Sequence, residues 1–561
     1  MRESITIFRL AFPLPLRDWS SCPSSFVTLA APNPLASYAY TLDHKVSSIV
    51  FSNGTKTVKT YDSVGRLDKV LHMNPGGTAL WSETSRYDQR DRRTARIHHD
   101  GKADLFTYDP AGQVTAAAYG QSALILPQEP KADTFQTPAV TRWDQTFAYD
   151  PAGNRSQFTE APASSAEPDA IRQWNYQANA ANQYTAVKET TSTEPSTTEP
   201  RYDPNGNLLT DDRNTYTWDA DIHLLSVTTN NHADGSVKPG TKNEEPRTVS
   251  FRYDPLHRRV TRMETSSQTT TYFIHDGWNV IAEYSTPLDH KSQMVNHKSP
   301  SASHVWGEDL SRTMQGAGGI GGLLSSTHNI GSTQNEEQRT KNPCLFFSYD
   351  SNGNVILLTD AQCLTAGKYK YDAFGLTLSA SGPAAKLNRY RFSTKPVELV
   401  SGLAFYGYRY YDPKTGRWPS RDPIGENGFR AANQRLPKPA TVDENNPFHF
   451  VANSPIGRVD YLGLHGGNPG PIFGSEDCDA CREYWNDWEE NCVMVGRIMQ
   501  LGVTSGGAGA NKLTPSGPTG AGPAILITLC VGLNAWLWQD HIDDCRERGT
   551  RERENCPCNL D

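Results

Sequence analysis

A chain of 561 residues with 36% hydrophobic content is too long for one ordinary core. Its formal net charge is −8, and from His465 onward 14 Asp+Glu stand against 7 Lys+Arg, so the preceding body is close to neutral and the tail is acidic. That balance excludes the basic footprint of a nucleic-acid binder, and the wealth of Tyr, Trp, Thr, Asn, Asp and Gly favours short strands and tight turns over a helical bundle.

Residues 1–40 read as an irregular leader. The opening MRESITIFRLAFPLPLRDWSS places Arg9 and two prolines inside its apolar stretch, which does not make a secretory signal. Only Cys22, Cys344 and Cys363 precede residue 465, so no disulfide framework is expected in the body.

Residues 41–388 carry a repeated phrase. It stands as YDSVGRL from Tyr61, YDPAGQV from Tyr108, YDPAGNR from Tyr149, YDPNGNLL from Tyr202 and YDSNGNVILL from Tyr349. Looser copies start at Tyr87, Tyr253 and Tyr371, and YTWDADIHLLSV from Tyr216 is a variant. Asp accepts backbone N–H groups at the start of a β-turn, Pro presets φ at the next position, and Gly supplies the positive φ that closes a bulged hairpin. Tyr before the turn and Leu or Val after it are strand residues. One such unit cannot bury its own face, so neighbours are expected to stack into a continuous curved sheet. Ser/Thr/Pro/Glu-rich stretches such as Lys188 to Pro200 read as surface loops.

Gly316 to Gly321 matches G-x-G-x-x-G, but no strand–turn–helix context surrounds it. The expectation is a bend where backbones pack closely, with no nucleotide and no other cofactor. No H-E-x-x-H or G-x-S-x-G occurs, and a metal site in the body is not expected.

The repeats, together with WGEDLSRTMQGAGGIGGLL (306–324) and RYRFSTKPVELVSGLAFYGYRYYDPKTGRWPSRDPIG (389–425), resemble the YD-repeat, or Rhs, proteins of bacteria. The resemblance spans residues 40 to 464, and residues 389–464 look like the Rhs repeat-associated core that closes the array. It implies a mainly β fold, a β-strand spiral forming a partial or complete shell around a C-terminal polypeptide, usually a toxin. It further implies an aspartyl self-cleavage site built from two Asp-bearing phrases. Carried over by position, Asp422 and Asp460 are the catalytic pair, Arg421 is the arginine preceding the first, and the cut falls between Leu464 and His465. Two departures stand out: Tyr461 replaces a proline, and residues 426–446 insert a polar stretch that puts Asp443 forward as a substitute. Two carboxylates held close do not both ionise easily, so one is expected to activate water while the other polarises the scissile carbonyl.

Residues 465–561 form a different segment with seven cysteines. Apolar and Cys positions from Glu476 to Leu501, then an apolar run from Ala524, predict a helical hairpin. Cys478 to Cys492 and Cys530 to Cys545 have nearly equal helical span, which fits disulfides Cys478–Cys545 and Cys492–Cys530. Zinc held by Cys478, Cys481, Cys556 and Cys558 is the competing reading. The run from Pro523 to Trp538 is short for a membrane span.

Two functions follow. The first is a structural shell that encloses or displays its own tail as cargo for toxin delivery or intercellular competition. It would be secreted or at the cell surface without an evident signal peptide, with an immunity or export partner. The second is an uncut cell-surface adhesion scaffold whose Tyr- and Trp-rich strands bind carbohydrate or protein.

Overall fold

The computed structural model describes residues 35–123, 144–161, 171–190, 195–229, 246–287, 300–329, 343–423 and 446–464, together with the backbone of the short strands Thr6–Ile7 and Gly466–Gly467. The chain divides into two compact units. One comprises Met1–Ala432 with Lys438–Gly470, the other Asn433–Pro437 with Pro471–Asp561. The second unit lies outside the described residues, and with it the helical hairpin, every tail cysteine and the zinc alternative. Asp443 and His465 lie outside them as well.

The described part of the first unit is almost entirely antiparallel β. Fourteen strands from Thr6–Ile7 to Ser196–Thr198 pair in strict chain order, and fourteen more from Arg201–Tyr202 to Thr377–Ser381 do the same. The expected single sheet is therefore two. The division falls at Glu199–Pro200, within one extended arm. Its first half pairs back to Tyr184–Glu189 and its second half forward to Leu208–Thr210. Proline has no N–H with which to carry the ladder across that point.

Each Tyr–Asp phrase forms the predicted bulged hairpin. Tyr61 pairs with Leu67, Tyr108 with Val114, Tyr149 with Arg155 and Tyr349 with Val355, each across a register shift. The Asp62 carboxylate accepts the N–H groups of Val64 and Arg66, and its second oxygen takes the Arg66 guanidinium at 2.7 Å. Asp109 holds Gln113 in the same way, and Asp150 holds Asn154. The tyrosine joins one unit to the one before it. Its hydroxyl donates to the carbonyl just past the preceding turn: Tyr87 to Leu67 at 2.7 Å, Tyr108 to Arg93 at 2.6 Å, Tyr371 to Val355 at 2.7 Å. Arg66 and Arg92 also lie over the rings of Tyr87 and Tyr108. The recurrent Tyr is thus a polar staple between hairpins as well as a strand former.

The described residues of 389–464 are mostly irregular and supply the apolar counterpart to both sheets. Tyr406, Tyr411, Trp418 and Phe450 pack with Leu323, Phe347 and Leu357 of the second sheet. Val400, Leu403 and Phe405 pack on Tyr216 and Phe251, and Ile456 joins Phe106, Phe147 and Phe158 of the first sheet. The rings of Tyr411 and Phe450 lie 4.1 Å apart and Tyr406 meets Trp418 edge-on. Val355–Thr359, an unbroken VILLT run, is buried at every position, as a strand covered on both faces must be. Strands near the N-terminus reach the second sheet directly, with Tyr38 and Phe51 against Leu324 and Phe346. Cys344 in this cluster is disulfide-bonded, which cysteine spacing did not foretell, whereas Cys363 is free.

Candidate functional site

The short strand Val459–Asp460 pairs with Gly466–Gly467, and residues 461–464 turn away from the first of them. Asp460 sits at its base, 1% exposed, and one carboxylate oxygen accepts the N–H groups of Leu462, Gly463 and Leu464 at 3.2, 2.7 and 3.1 Å. This is the Asx-type turn chemistry of the repeats, here put to hold the predicted scissile segment. Its other oxygen faces Arg409 at 3.5 Å, and Asp422 meets the same guanidinium nitrogen at 2.7 Å. The two aspartates read from the sequence therefore lie on either side of one buried cation, although 37 residues intervene between them.

Arg409 was not foreseen. Its Nε donates to the carbonyl of Gly463, its Nη1 to that of Pro447 at 3.2 Å, and its plane covers the Trp418 ring at 4.1 Å. Burial pulls its pKa below the ordinary arginine value, against the pull of Asp422 and Asp460. Arg421 is exposed, and its stem lies against Gly206, where a Cβ would come within 2.6 Å of it. The bridging cation is Arg409.

Lys395 also went unmarked. Its buried ammonium donates to the carbonyls of Tyr461 at 2.7 Å and Gly318 at 2.8 Å. Burial pulls its pKa down to about 8, opposed by Asp460 and Asp309. Gly318 belongs to the G-x-G-x-x-G stretch, which proves to be a tight loop folded around the Asp309 carboxylate. That carboxylate accepts the N–H groups of Ala317 at 2.7 Å and Gly319 at 3.0 Å. Burial raises the Asp309 pKa. At Gly318, φ is +60° and a Cβ would collide with the Tyr461 carbonyl, so the glycine is there for close approach to the turn. The N–H groups a phosphate would need are already taken, by Asp309 at Ala317 and Gly319, by Thr313 at Gly316, by the Gln315 carbonyl at Gly318 and by Thr394 at Gly321.

A cavity of about 50 Å³ adjoins the turn, lined among others by Lys395, Tyr406, Gly407 and Leu462. It has room for a few waters beside polar groups. The arrangement gathers two carboxylates, a guanidinium and an ammonium around one backbone turn, with water-sized space beside Lys395 and Leu462, parts that peptide hydrolysis can use.

No protein-family model matches the chain. Among curated proteins it is 27% identical over 316 residues to the tRNA3(Ser)-specific nuclease WapA of Bacillus spizizenii, covering 56% of this chain and 10% of that protein. It is 25% identical over 431 residues to toxin subunit YenC1 of Yersinia entomophaga, covering 72% of this chain and 36% of that one. It is 24% identical over 281 residues to the double-stranded DNA deaminase toxin A of Burkholderia cenocepacia, covering 47% of this chain and 17% of that one. The chain thus spans between a tenth and about a third of these relatives. A chain in a structure of the Photorhabdus luminescens Tc holotoxin pore shares the fold over 78% of this chain and 19% of its own, with a TM-score of 0.50 and 16% identity. Among the described residues no helix is long and apolar enough to cross a membrane.

Proposed function

We propose that this chain is the β-shell part of an Rhs-type toxin-delivery protein and that it cuts itself once, between Leu464 and His465, to free the segment that follows. The likeness to proteins named as a toxin and a toxin subunit supports the class. The observation that carries the reading is Arg409 clamped between Asp422 and Asp460, with Asp460 holding the N–H of Leu464 itself.

In this reading the fold delivers the substrate, so no recognition pocket is needed and the entropy of bringing reactants together is met in folding. Water adds to the Leu464 carbonyl carbon, one carboxylate taking its proton. The C–N bond to His465 breaks as the oxyanion collapses, and the carboxyl that took the proton from water returns it to the leaving amine. Asp460 keeps the turn in register, and Arg409, already on the neighbouring Gly463 carbonyl, offers positive charge to the developing oxyanion. Residues 465–561 are then the cargo, in a secreted or cell-surface setting.

Intact mass spectrometry of the purified chain tests this beside Asp422→Asn and Asp460→Asn. A fragment beginning at His465 in the wild type, absent from both variants, is expected. A single full-length mass in all three removes the protease and leaves the uncut adhesion scaffold.

A further inference from the structure

We infer that two neighbouring turns of the second sheet form a zinc site, with Asp219, Asp221 and His223 as ligands and His257 as the positioning residue behind them. It goes beyond the delivery reading and does not depend on it. The ligating atoms of Asp219, Asp221 and His223 all lie within 4.8 Å of one another. The three stand at the first, third and fifth positions of one turn, and the next hairpin's turn brings up His257, its Nδ1 2.7 Å from Nε2 of His223. The spacing D-x-D-x-H matches none of the metal motifs sought in the sequence and acquires its meaning from the turn.

The other turns of the array show how far this pair departs from the pattern. Their fifth position gives the turn aspartate a guanidinium, from Arg66 or Arg92, or an amide, from Gln113 or Asn154, and none of these offers a nitrogen lone pair. Here the partner is an imidazole, with Nδ1 2.8 Å from Oδ2 of Asp219. The third position, Val64 or Ala152 elsewhere, is a carboxylate, and the fourth, held by Gly65, Gly112 and Gly153, is His257 in the adjoining turn at φ +64°. Asp219 is fixed by accepting the N–H groups of Asp221 and His223 at 2.9 and 2.8 Å, and the buried His223 ring is stacked on Tyr253 at 4.5 Å. Among the described residues no Lys or Arg pairs with Asp219 or Asp221, so two carboxylates converge on an imidazole with no arginine to bridge them.

Ligand chemistry narrows the ion. Carboxylates alone suit calcium or magnesium, whereas an imidazole nitrogen among them favours a transition metal, and three protein ligands leave a fourth tetrahedral position to water. In the metal-free turn the Nδ1–H of His223 donates to Asp219, and Nε2 accepts from the Nδ1–H of His257. Zinc takes the Nδ1 lone pair of His223. The proton of that ring moves to Nε2 and is donated to Nδ1 of His257, whose own proton passes to its Nε2, so both rings stay neutral and no proton is lost. Burial lowers the His257 pKa, His223 adding to the effect and Asp221, Asp219 and Asp254 opposing it, which keeps this ring available as an acceptor. Such a partner fixes the tautomer of a metal-bound histidine and is worth about tenfold or more in affinity.

The test is equilibrium dialysis of the whole chain against zinc chloride, with bound zinc counted by atomic emission, beside His223→Gln, Asp221→Asn and His257→Gly. The first copies Gln113 and the third copies Gly65, residues the array already carries at those turn positions, and Asp221 is exposed, so all three variants should fold. Any zinc on the tail cysteines is common to the four chains and cancels. The wild type is expected to hold one equivalent more than His223→Gln and Asp221→Asn, and zinc should raise its melting temperature more than theirs. His257→Gly should keep the equivalent at an affinity about tenfold weaker or more. Equal zinc in the wild type, His223→Gln and Asp221→Asn overturns the inference, as does displacement of the extra equivalent by calcium at the same concentration. The two turns belong to the body whether or not the junction is cut, so failure here leaves the delivery reading standing.

Discussion

In the hairpin array an aspartate and its partner lie four residues apart on one turn, whereas at the junction they come from three separate stretches of chain. Asp62 and Arg66 are both partly open to water, and the Arg66 pair holds the Asp62 pKa below the usual carboxylate value. Asp422, Arg409 and Asp460 meet far from their neighbours in sequence, and the arginine side chain is 2% exposed. The first arrangement forms with its own hairpin and is copied along the chain. The second exists only once both sheets and residues 389–464 are in place. Local electrostatics therefore build the array, and tertiary structure builds the site.

The contrast is broken most severely by Arg409→Met. Two carboxylates would be left beside a buried apolar side chain, a loss on the order of 3–5 kcal/mol for removing one partner of a buried ionic group. Urea denaturation should show a large fall in midpoint. Arg409→Lys keeps the charge but cannot span both aspartates and the Gly463 carbonyl. It should fold more nearly as the wild type and show no fragment by mass. A fully cleaving Arg409→Lys chain would assign the arginine to stability alone.

This difference also explains what could be read in advance. The Tyr–Asp hairpins were legible because Asp, Pro and Gly act on the backbone within five residues, and the predicted bulge recurs at Tyr61, Tyr108, Tyr149 and Tyr349. Asp422 and Asp460 were legible only by resemblance. Arg409 and Lys395 were not, since their roles rest on contacts with residues 50 to 80 positions away, and the loop 316–321 was legible as a close-packed bend but not for the turn it packs against. One signal was present: Arg409 interrupts the aromatic run YGYRYYD, and a guanidinium among buried rings must find a counter-charge. The sheet break at Pro200 was written in the sequence too, but the array was read as uninterrupted.

A smaller effect lies where the array itself turns inward. Asp372 begins a Tyr–Asp turn like Asp62, yet it is 6% exposed, with Gln145 of the first sheet at 3.2 Å from its carboxylate. Burial raises its pKa to about 6. The sign is opposite to that of the open turns. The folded state keeps this proton while the unfolded state loses it, so stability falls as pH rises from the ordinary aspartate value of 3.8 to about 6 and is flat above. At about 1.4 kcal/mol per unit the change amounts to about 2–3 kcal/mol. Asp372→Asn, which cannot titrate, should lose this dependence. Denaturation midpoints for both chains at pH 4, 5, 6 and 7 should diverge across that interval and run parallel beyond it. Parallel behaviour throughout would mean that Gln145 and the turn N–H groups stabilise the carboxylate more than burial opposes it.

The smallest expected effect compares one hairpin with its neighbours. The turn position held by Gly65 at φ +84°, Gly112 at +86° and Gly153 at +77° is held by Ile222 at +67° in the variant WDADIH turn. A β-branched side chain is strained there, at a cost of about 1–2 kcal/mol. The turn hydrogen bond from Ile222 N–H to the Asp219 carbonyl is 3.3 Å, against 3.0 Å at Gly65 and Gly112. Glycine would relieve the strain but add freedom to the unfolded chain. Asparagine tolerates positive φ without that penalty, and Asn182 already occupies the same turn position at φ +60°. Ile222→Asn also gives up some partly buried apolar surface, which leaves a net gain of about 0.5–1 kcal/mol. The denaturation midpoint should rise accordingly while Asn182→Ile lowers it by a similar amount. If both substitutions were neutral, the hairpins would be tolerant of backbone strain, and their order would rest on the tyrosine staples and ring packing alone.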